Sequence, residues 1–222
     1  MSIPVTIISD FICPWCLIGE RRLAKAIEAL PDDLTVELDW KPFELNPTMP
    51  REGMNRRLYR SLKFGSWERS SMLDAQTVAA AKGDDVAFDY EAMEKTPNTF
   101  AAHRLMQLAQ RHGLAPRLAG ALLSAYFEQG RDIGDPATLT EIAAEQGLDR
   151  AEAAAFLAGD EGASEVRASE EAQAAAGLRS VPAFVIGGEV ITGAQSVATF
   201  EAALRRASEQ DLACTDGACA VA

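Results

Sequence analysis

Cys13 and Cys16, in the run Cys13-Pro14-Trp15-Cys16, stand two residues apart near the start of the chain. The segment before them, Ile3-Pro4-Val5-Thr6-Ile7-Ile8, is apolar and β-branched, as a buried strand should be. The segment after them has helical spacing, with Leu23, Ala26, Ile27 and Leu30 on one face and Arg22, Lys25 and Glu28 off it. A cysteine where a strand turns into a helix is placed to react, because the free N–H groups and the positive end of the macrodipole favour thiolate over thiol. Thiols in such motifs titrate at roughly 3.5–7.5 instead of ~8.5. Pro14 falls on the first helical position, where its fixed φ fits and its missing N–H costs nothing. Cys16, three residues on, shares a helix face with Cys13 and can close a short disulfide with it. The pattern points to redox chemistry on substrate thiols. Cys13 is expected to be the accessible, low-pKa thiol and Cys16 the shielded one.

The elements that must position this pair follow in order. Leu34-Thr35-Val36-Glu37-Leu38-Asp39-Trp40 alternates apolar and polar residues and reads as a second strand, leading into the proline-punctuated loop Lys41-Pro42-Phe43-Glu44-Leu45-Asn46-Pro47. From about Ser66 to Gly177 the chain is alanine-rich and helical. Asp135-Pro136 opens one helix as cap and first residue, and Gly113, Gly147 and Gly177 sit where helices should stop. His112 then reads as a cation at a helix C-terminus. Strand pattern returns in Pro182-Ala183-Phe184-Val185-Ile186, turns at Gly187-Gly188, and continues through Glu189-Val190-Ile191-Thr192. Ser196 can cap a last helix from Val197 to about Ala207. A βαβ unit followed much later by a ββα unit is an α/β thioredoxin fold with a large α-helical insertion. The expected division is residues 1–65 and 178–208 for the thioredoxin-like domain, 66–177 for the insertion, and 209–222 for a flexible C-terminal tail. In that fold, the proline opening the strand at Val181-Pro182 is expected to be cis and to pack against the cysteines. The backbone of Val181 would then lie beside Cys13, where a substrate chain could add as a strand.

The chain has 222 residues, 48% of them hydrophobic, enough for a substantial core. A net charge of -12 excludes nucleic acid and anionic membrane as partners, since both need a basic patch. No apolar run approaches the ~20 residues of a membrane span, and no signal-peptide pattern is visible, so the expected location is cytoplasmic. In a reducing compartment the four cysteines read as catalytic or metal-binding rather than as staples.

Several blocks together resemble the DsbA family, and within it the cytosolic FrnE-like branch. They are Asp10-Phe11-Ile12-Cys13-Pro14-Trp15-Cys16, Lys41 to Pro47, Asn98-Thr99-Phe100-Ala101-Ala102-His103-Arg104-Leu105, Gly130 to Pro136, and Val181-Pro182-Ala183-Phe184. The resemblance implies thiol-disulfide exchange on polypeptides, with Cys13 as nucleophile, Cys16 as resolving thiol and Pro182 as the cis-proline. It implies no prosthetic group beyond the redox-active disulfide. Cysteine-containing polypeptides or small thiols would be the partners, with glutathione or another thiol as electron donor. Two other classes remain: a glutathione-dependent isomerase or transferase of the chromene-carboxylate or kappa type, and a zinc-binding or redox-sensing module. The first typically carries serine where this chain has Cys13.

One position departs from the thioredoxin pattern. The buried acid six residues before the first cysteine is absent, Ile7 standing there, which leaves Asp10 either as a proton relay or as a cap or turn residue. The C-terminal Cys214-Thr215-Asp216-Gly217-Ala218-Cys219 reads as a redox relay with Cys13-Cys16, as part of a zinc site, or as an inert thiol pair. His103 reads as a substrate-facing group or as a satisfied core histidine, and Trp15 as an exposed contact for polypeptide or as a cap over the disulfide.

Overall fold

Four strands and the helix joining the first two build the frame that holds the cysteines. The computed structural model describes residues 2–31 and 33–215, the last five by backbone alone. Strand β1 (Ser2–Ser9) leads into helix α1 (Pro14–Glu28) and strand β2 (Thr35–Pro42). A two-residue strand β3 (Met54–Asn55) precedes helices α2 (Arg56–Phe64) and α3 (Trp67–Ala80), and β4 (Lys95–Thr96) pairs back with β3. Helices α4 (Phe100–Arg111), α5 (Ala115–Phe127), α6 (Pro136–Glu145), α7 (Arg150–Ala158) and α8 (Ala163–Ala175) follow. The chain closes with β5 (Ala183–Ile186), β6 (Glu189–Thr192) and helix α9 (Val197–Thr215).

The main sheet has the order β2-β1-β5-β6. β1 is central because Ile3, Val5, Ile7 and Ile8 are all buried, as a strand covered on both faces requires. It pairs in parallel with β2 from Ser2↔Thr35 to Ser9↔Pro42, and α1 supplies the crossover. On its other edge β5 runs antiparallel, from Val5↔Ile186 to Ile8↔Ala183. The C-terminal end of β1, the N-terminal end of α1 and the start of β5 therefore meet at one end of the sheet. This brings Cys13 and Pro182 together.

The local signals act as read. Asp135 caps α6 by accepting from Thr138 N–H at 2.9 Å, with Pro136 in the first turn. Gly113, Gly147 and Gly177 take φ of 69°, 102° and 81° just past helix ends, where only glycine is unstrained. His112 closes α4 and pairs with Glu152 at 3.0 Å.

Two boundaries differ from expectation. The split at 65/66 cuts through a hairpin, because α2 packs on α3 across Gly65 and also on the β3–β4 ribbon. The last helix continues from Ala207 to Thr215, so residues 209–215 extend α9; no Gly or Pro in that stretch stops it. A single apolar core runs from the sheet into the helical layer, joining Phe11, Leu17, Phe184 and Phe200 with Leu105, Leu118 and Leu122.

Candidate active site

Cys13 is the N-cap of α1, in extended backbone geometry, with Pro14 in the first helical turn. Its N–H donates to Asp10 O at 3.0 Å, and its own carbonyl accepts from Cys16 N–H at 2.9 Å, so the motif is a tight turn closed on itself. Cys13 Sγ donates to the carbonyl of Val181 at 3.8 Å, and the Val181-Pro182 bond is cis. The bond is cis as expected, and the Val181 carbonyl lies beside Cys13. Gly19, on the turn of α1 after Cys16, makes the approach possible: a Cβ there would meet Phe184 Cζ at 2.9 Å and Pro182 Cγ at 3.3 Å.

Both thiols are free. The contrast in accessibility is narrower than expected, Cys13 being 5% and Cys16 2% exposed. Burial first, then the hydrogen bond and charge of Cys13, push the Cys16 thiol well above its ordinary value. The Ser9 hydroxyl and the Asp10 backbone N–H act on it in the opposite sense. Cys16 is therefore held as a thiol until something removes its proton.

Ile7 faces the core between Trp40 and Phe184, so β1 brings no acid to the cysteines. Asp10 is fully buried, and its Oδ2 accepts from Leu45 N–H at 2.7 Å, a residue 35 positions away. Its Oδ1 lies 3.6 Å from His103 Nε2, and among the described residues neither of these two atoms has a hydrogen-bond partner. What Asp10 presents to Cys16 is its backbone N–H; its carboxylate ties the 43–47 loop to the cysteine turn. His103 is buried with its ring 4.9 Å from that of Phe11, and it does not line the cleft onto which Cys13 opens.

Cys13 opens onto a cleft of about 310 Å³. Ile12, Pro14 and Trp15 form one wall and Leu45 and Asn46 another, while α2 and α3 contribute Tyr59, Lys63, Phe64 and Leu73. Lys63 Nζ bonds Asn46 Oδ1 at 3.0 Å and Tyr59 OH at 2.8 Å, and Tyr59 OH also donates to Asn46, joining loop and helix across the mouth. At the floor, Asp74 takes Arg56 at 2.6 Å and Arg60 at 2.5 Å. Trp15 is exposed at the rim. None of the α2–α3 residues stood out in the sequence. Their signal was a short helix carrying Arg56, Arg57, Arg60 and Lys63 with no acid, in a chain of net charge -12.

A family model for the DsbA-like thioredoxin domain matches residues 4–205. The chain belongs to the DsbA-like thioredoxin family. It is 32% identical to a protein described as a probable DsbA oxidoreductase from Streptomyces coelicolor, whose solved structure superposes with a TM-score of 0.84 over 94% of this chain and 91% of that one. The Bacillus subtilis protein YwbO, itself uncharacterised, is 29% identical over 92% of this chain and 96% of its own length. The cytosolic disulfide reductase DsbM from Pseudomonas aeruginosa shares the fold at 18% identity and a TM-score of 0.62, over 94% of this chain and 98% of that one. Membership makes the chain a thioredoxin-like oxidoreductase of the DsbA family.

Among the described residues no group of three or more His, Cys, Asp or Glu is placed to hold a metal ion, and no helix is long and apolar enough to cross a membrane. The tail pair falls mostly beyond reach: Cys219 lies outside the described residues, and Cys214 is described by backbone alone, inside α9. The course of that helix bears on the relay reading. α9 starts near Pro182, whose carbonyl accepts from Gly193 N–H, passes Phe184 at Phe200 and reaches the Gly187 turn at Ala207. That turn is the far end of β5 from Cys13. At ~3.3 Å per strand residue and ~1.5 Å per helical residue, the backbone of Cys214 is roughly 25 Å from the cysteine turn.

Proposed function

We propose that the chain is a cytoplasmic thiol-disulfide oxidoreductase of the FrnE-like kind, acting on cysteine-bearing polypeptides through Cys13 as nucleophile and Cys16 as resolving thiol. The observation that carries this reading is a cysteine at a helix N-cap that opens onto a cleft and lies 3.8 Å from the carbonyl of Val181. In the reductive direction the Cys13 thiolate attacks a substrate disulfide, one substrate sulfur leaves as thiolate, and a mixed disulfide forms. Cys16 loses its proton and attacks Cys13 Sγ, the Cys13–substrate bond breaks, and the second substrate sulfur leaves as thiolate. The enzyme then holds the Cys13-Cys16 disulfide, and a small thiol such as glutathione reduces it. Run backwards, the same steps oxidise a substrate dithiol. The net direction follows the potential of the Cys13-Cys16 couple against its compartment.

Val181 and Trp15 support the polypeptide part of the reading. Among the described residues no hydrogen bond uses the Val181 N–H, so an extended substrate segment can pair with this stretch of backbone as an added strand. Trp15 and Leu45 at the rim offer apolar contact to it. The test is titration of the Cys13-Cys16 couple in glutathione redox buffers together with insulin reduction. A single two-electron transition is expected, with turnover that Cys13→Ser abolishes. Absence of a Cys13-Cys16 disulfide under any buffer would overturn the reading.

A further inference from the structure

We propose that the α2–α3 hairpin selects the substrate. It takes a polypeptide whose reacting cysteine is flanked by a bulky apolar residue and an acidic one. This rests on the polypeptide reading above and names which segments the same site prefers.

The exposed large apolar residues among the described ones are concentrated on the segments that build one opening. Of the seven large hydrophobic side chains that stand exposed among the described residues, six lie on the cysteine turn, the 43–47 loop and the α2–α3 hairpin: Trp15, Leu45, Leu58, Leu62, Met72 and Val78. Leu62 is 70% and Met72 61% exposed. Helical spacing makes them neighbours of the cleft wall: Leu62 is three residues from Tyr59, and Met72 four from Gln76, both of which line the cleft. Leu62 and Met72 therefore stand beside the cleft wall, just outside the residues that line it. The hairpin that presents it is rigidly made. Asn55 caps α2, Ser66 caps α3, Gly65 turns between them with φ of 91°, and the Arg56–Asp74–Arg60 ion cluster locks the two helices together. A stiff, well-capped element that leaves leucine and methionine in water is holding them for an occupant.

Charge identifies the second half of the preference. The cleft residues carry two cations, Arg60 and Lys63, against one carboxylate, Asp74, which already serves Arg56 and Arg60. Lys63 hangs over the mouth on Asn46 and Tyr59 with its ammonium exposed, and Arg57 extends the same basic helix. In a chain of net charge -12 this is a local reversal of sign beside the reactive sulfur. An acidic side chain on the substrate answers it and a basic one is repelled. The room available, about 310 Å³, suits an extended segment rather than a folded surface.

The test uses the intact oxidised protein and short single-cysteine peptides that differ only in their two flanking residues: Leu and Glu, Ala and Glu, Leu and Lys, or Ala and Lys. Rates of mixed-disulfide formation are divided by the rate of the same protein with dithiothreitol, which corrects for any loss of fold. The Leu/Glu peptide should exceed Ala/Lys by roughly tenfold, the apolar and acidic changes each contributing. Lys63→Glu should invert the Glu-over-Lys preference, and Leu62→Ser with Met72→Ser should erase the Leu-over-Ala preference. Equal rates with all four peptides would overturn the selection proposal while leaving the polypeptide reading intact. No reaction with any peptide, alongside normal reaction with dithiothreitol, would overturn the polypeptide reading itself. A concentration-dependent dimer that Leu62→Asp dissolves would show the face to be an interface between copies, and would likewise overturn the proposal.

Discussion

Replacing Gly19 with alanine probes a close approach of α1 to β5 and to Pro182 just before it. The added methyl would fall 2.9 Å from Phe184 Cζ and 3.3 Å from Pro182 Cγ, against ~3.5–4.0 Å for carbon atoms at rest. Phe184 cannot swing aside: it is fully buried, and its ring stands edge-on to Phe200 with centroids 4.8 Å apart. The helix must back away by about half an ångström or more, and overpacking of this kind costs ~1–3 kcal/mol. Alanine returns up to ~1 kcal/mol in a helix interior, leaving a net loss of about 0–2 kcal/mol where the full helix gain is realised. Gly120 in α5 is the control, since a Cβ there meets only the flexible end of Glu20 at 3.4 Å and Gly120→Ala should be neutral or stabilising. Urea unfolding of the reduced proteins measures both. Because α1 carries Cys13 and β5 follows Val181, Gly19→Ala should also lower kcat/KM. A stability gain in Gly19→Ala as large as that of Gly120→Ala would refute the close packing on which the geometry of the site depends.

Asp10→Ala should remove the acceptor for Leu45 N–H, cost about 1–3 kcal/mol in urea unfolding and raise KM for peptide disulfides more than it lowers kcat. Asp10→Asn, which keeps an acceptor, should recover most of that loss; an Asn variant as inactive as Ala would instead make the carboxylate a proton relay. The raised Cys16 thiol predicts a pH effect on the reduced protein. The folded state keeps that proton where the unfolded chain releases it, so stability is intact below about pH 8.5 and falls as pH rises above it. Urea midpoints between pH 7 and 10 should show this decline in wild type and a shallower one in Cys16→Ser. Cys214→Ser with Cys219→Ser decides between the readings of the tail pair: a changed rate of re-reduction or re-oxidation, with single-turnover attack by Cys13 nearly intact, is expected of a relay, and unchanged steady-state turnover with glutathione would make the pair inert.

What could be read from the chain was local. Cys13-x-x-Cys16 sits between an apolar run and an amphipathic one, and Gly187-Gly188 separates two β-branched runs, so strand, helix and hairpin followed from neighbouring residues. Val181-Pro182 could be placed because the order of elements implies which strand ends meet. The parts that stayed hidden depend on long-range partners. Asp10 looks like a turn residue until the fold brings Leu45 to it, and Lys63 looks like an ordinary surface cation until Asn46 and Tyr59 close around it. Strands β3 and β4 are two residues each, too short for any alternation to register. The extra length of α9 was invisible for the opposite reason: polar residues such as Glu209, Gln210 and Asp211 read as tail, although nothing in them breaks a helix.

The central claim is that Cys13 attacks and Cys16 resolves. Cys16→Ser mixed with a peptide disulfide, quenched in acid and mapped by mass spectrometry, tests it directly. A stable adduct of one peptide on Cys13, absent from Cys13→Ser, is the predicted result. An adduct on Cys214 or Cys219 in its place, or an undiminished reaction in Cys13→Ser, would contradict the account.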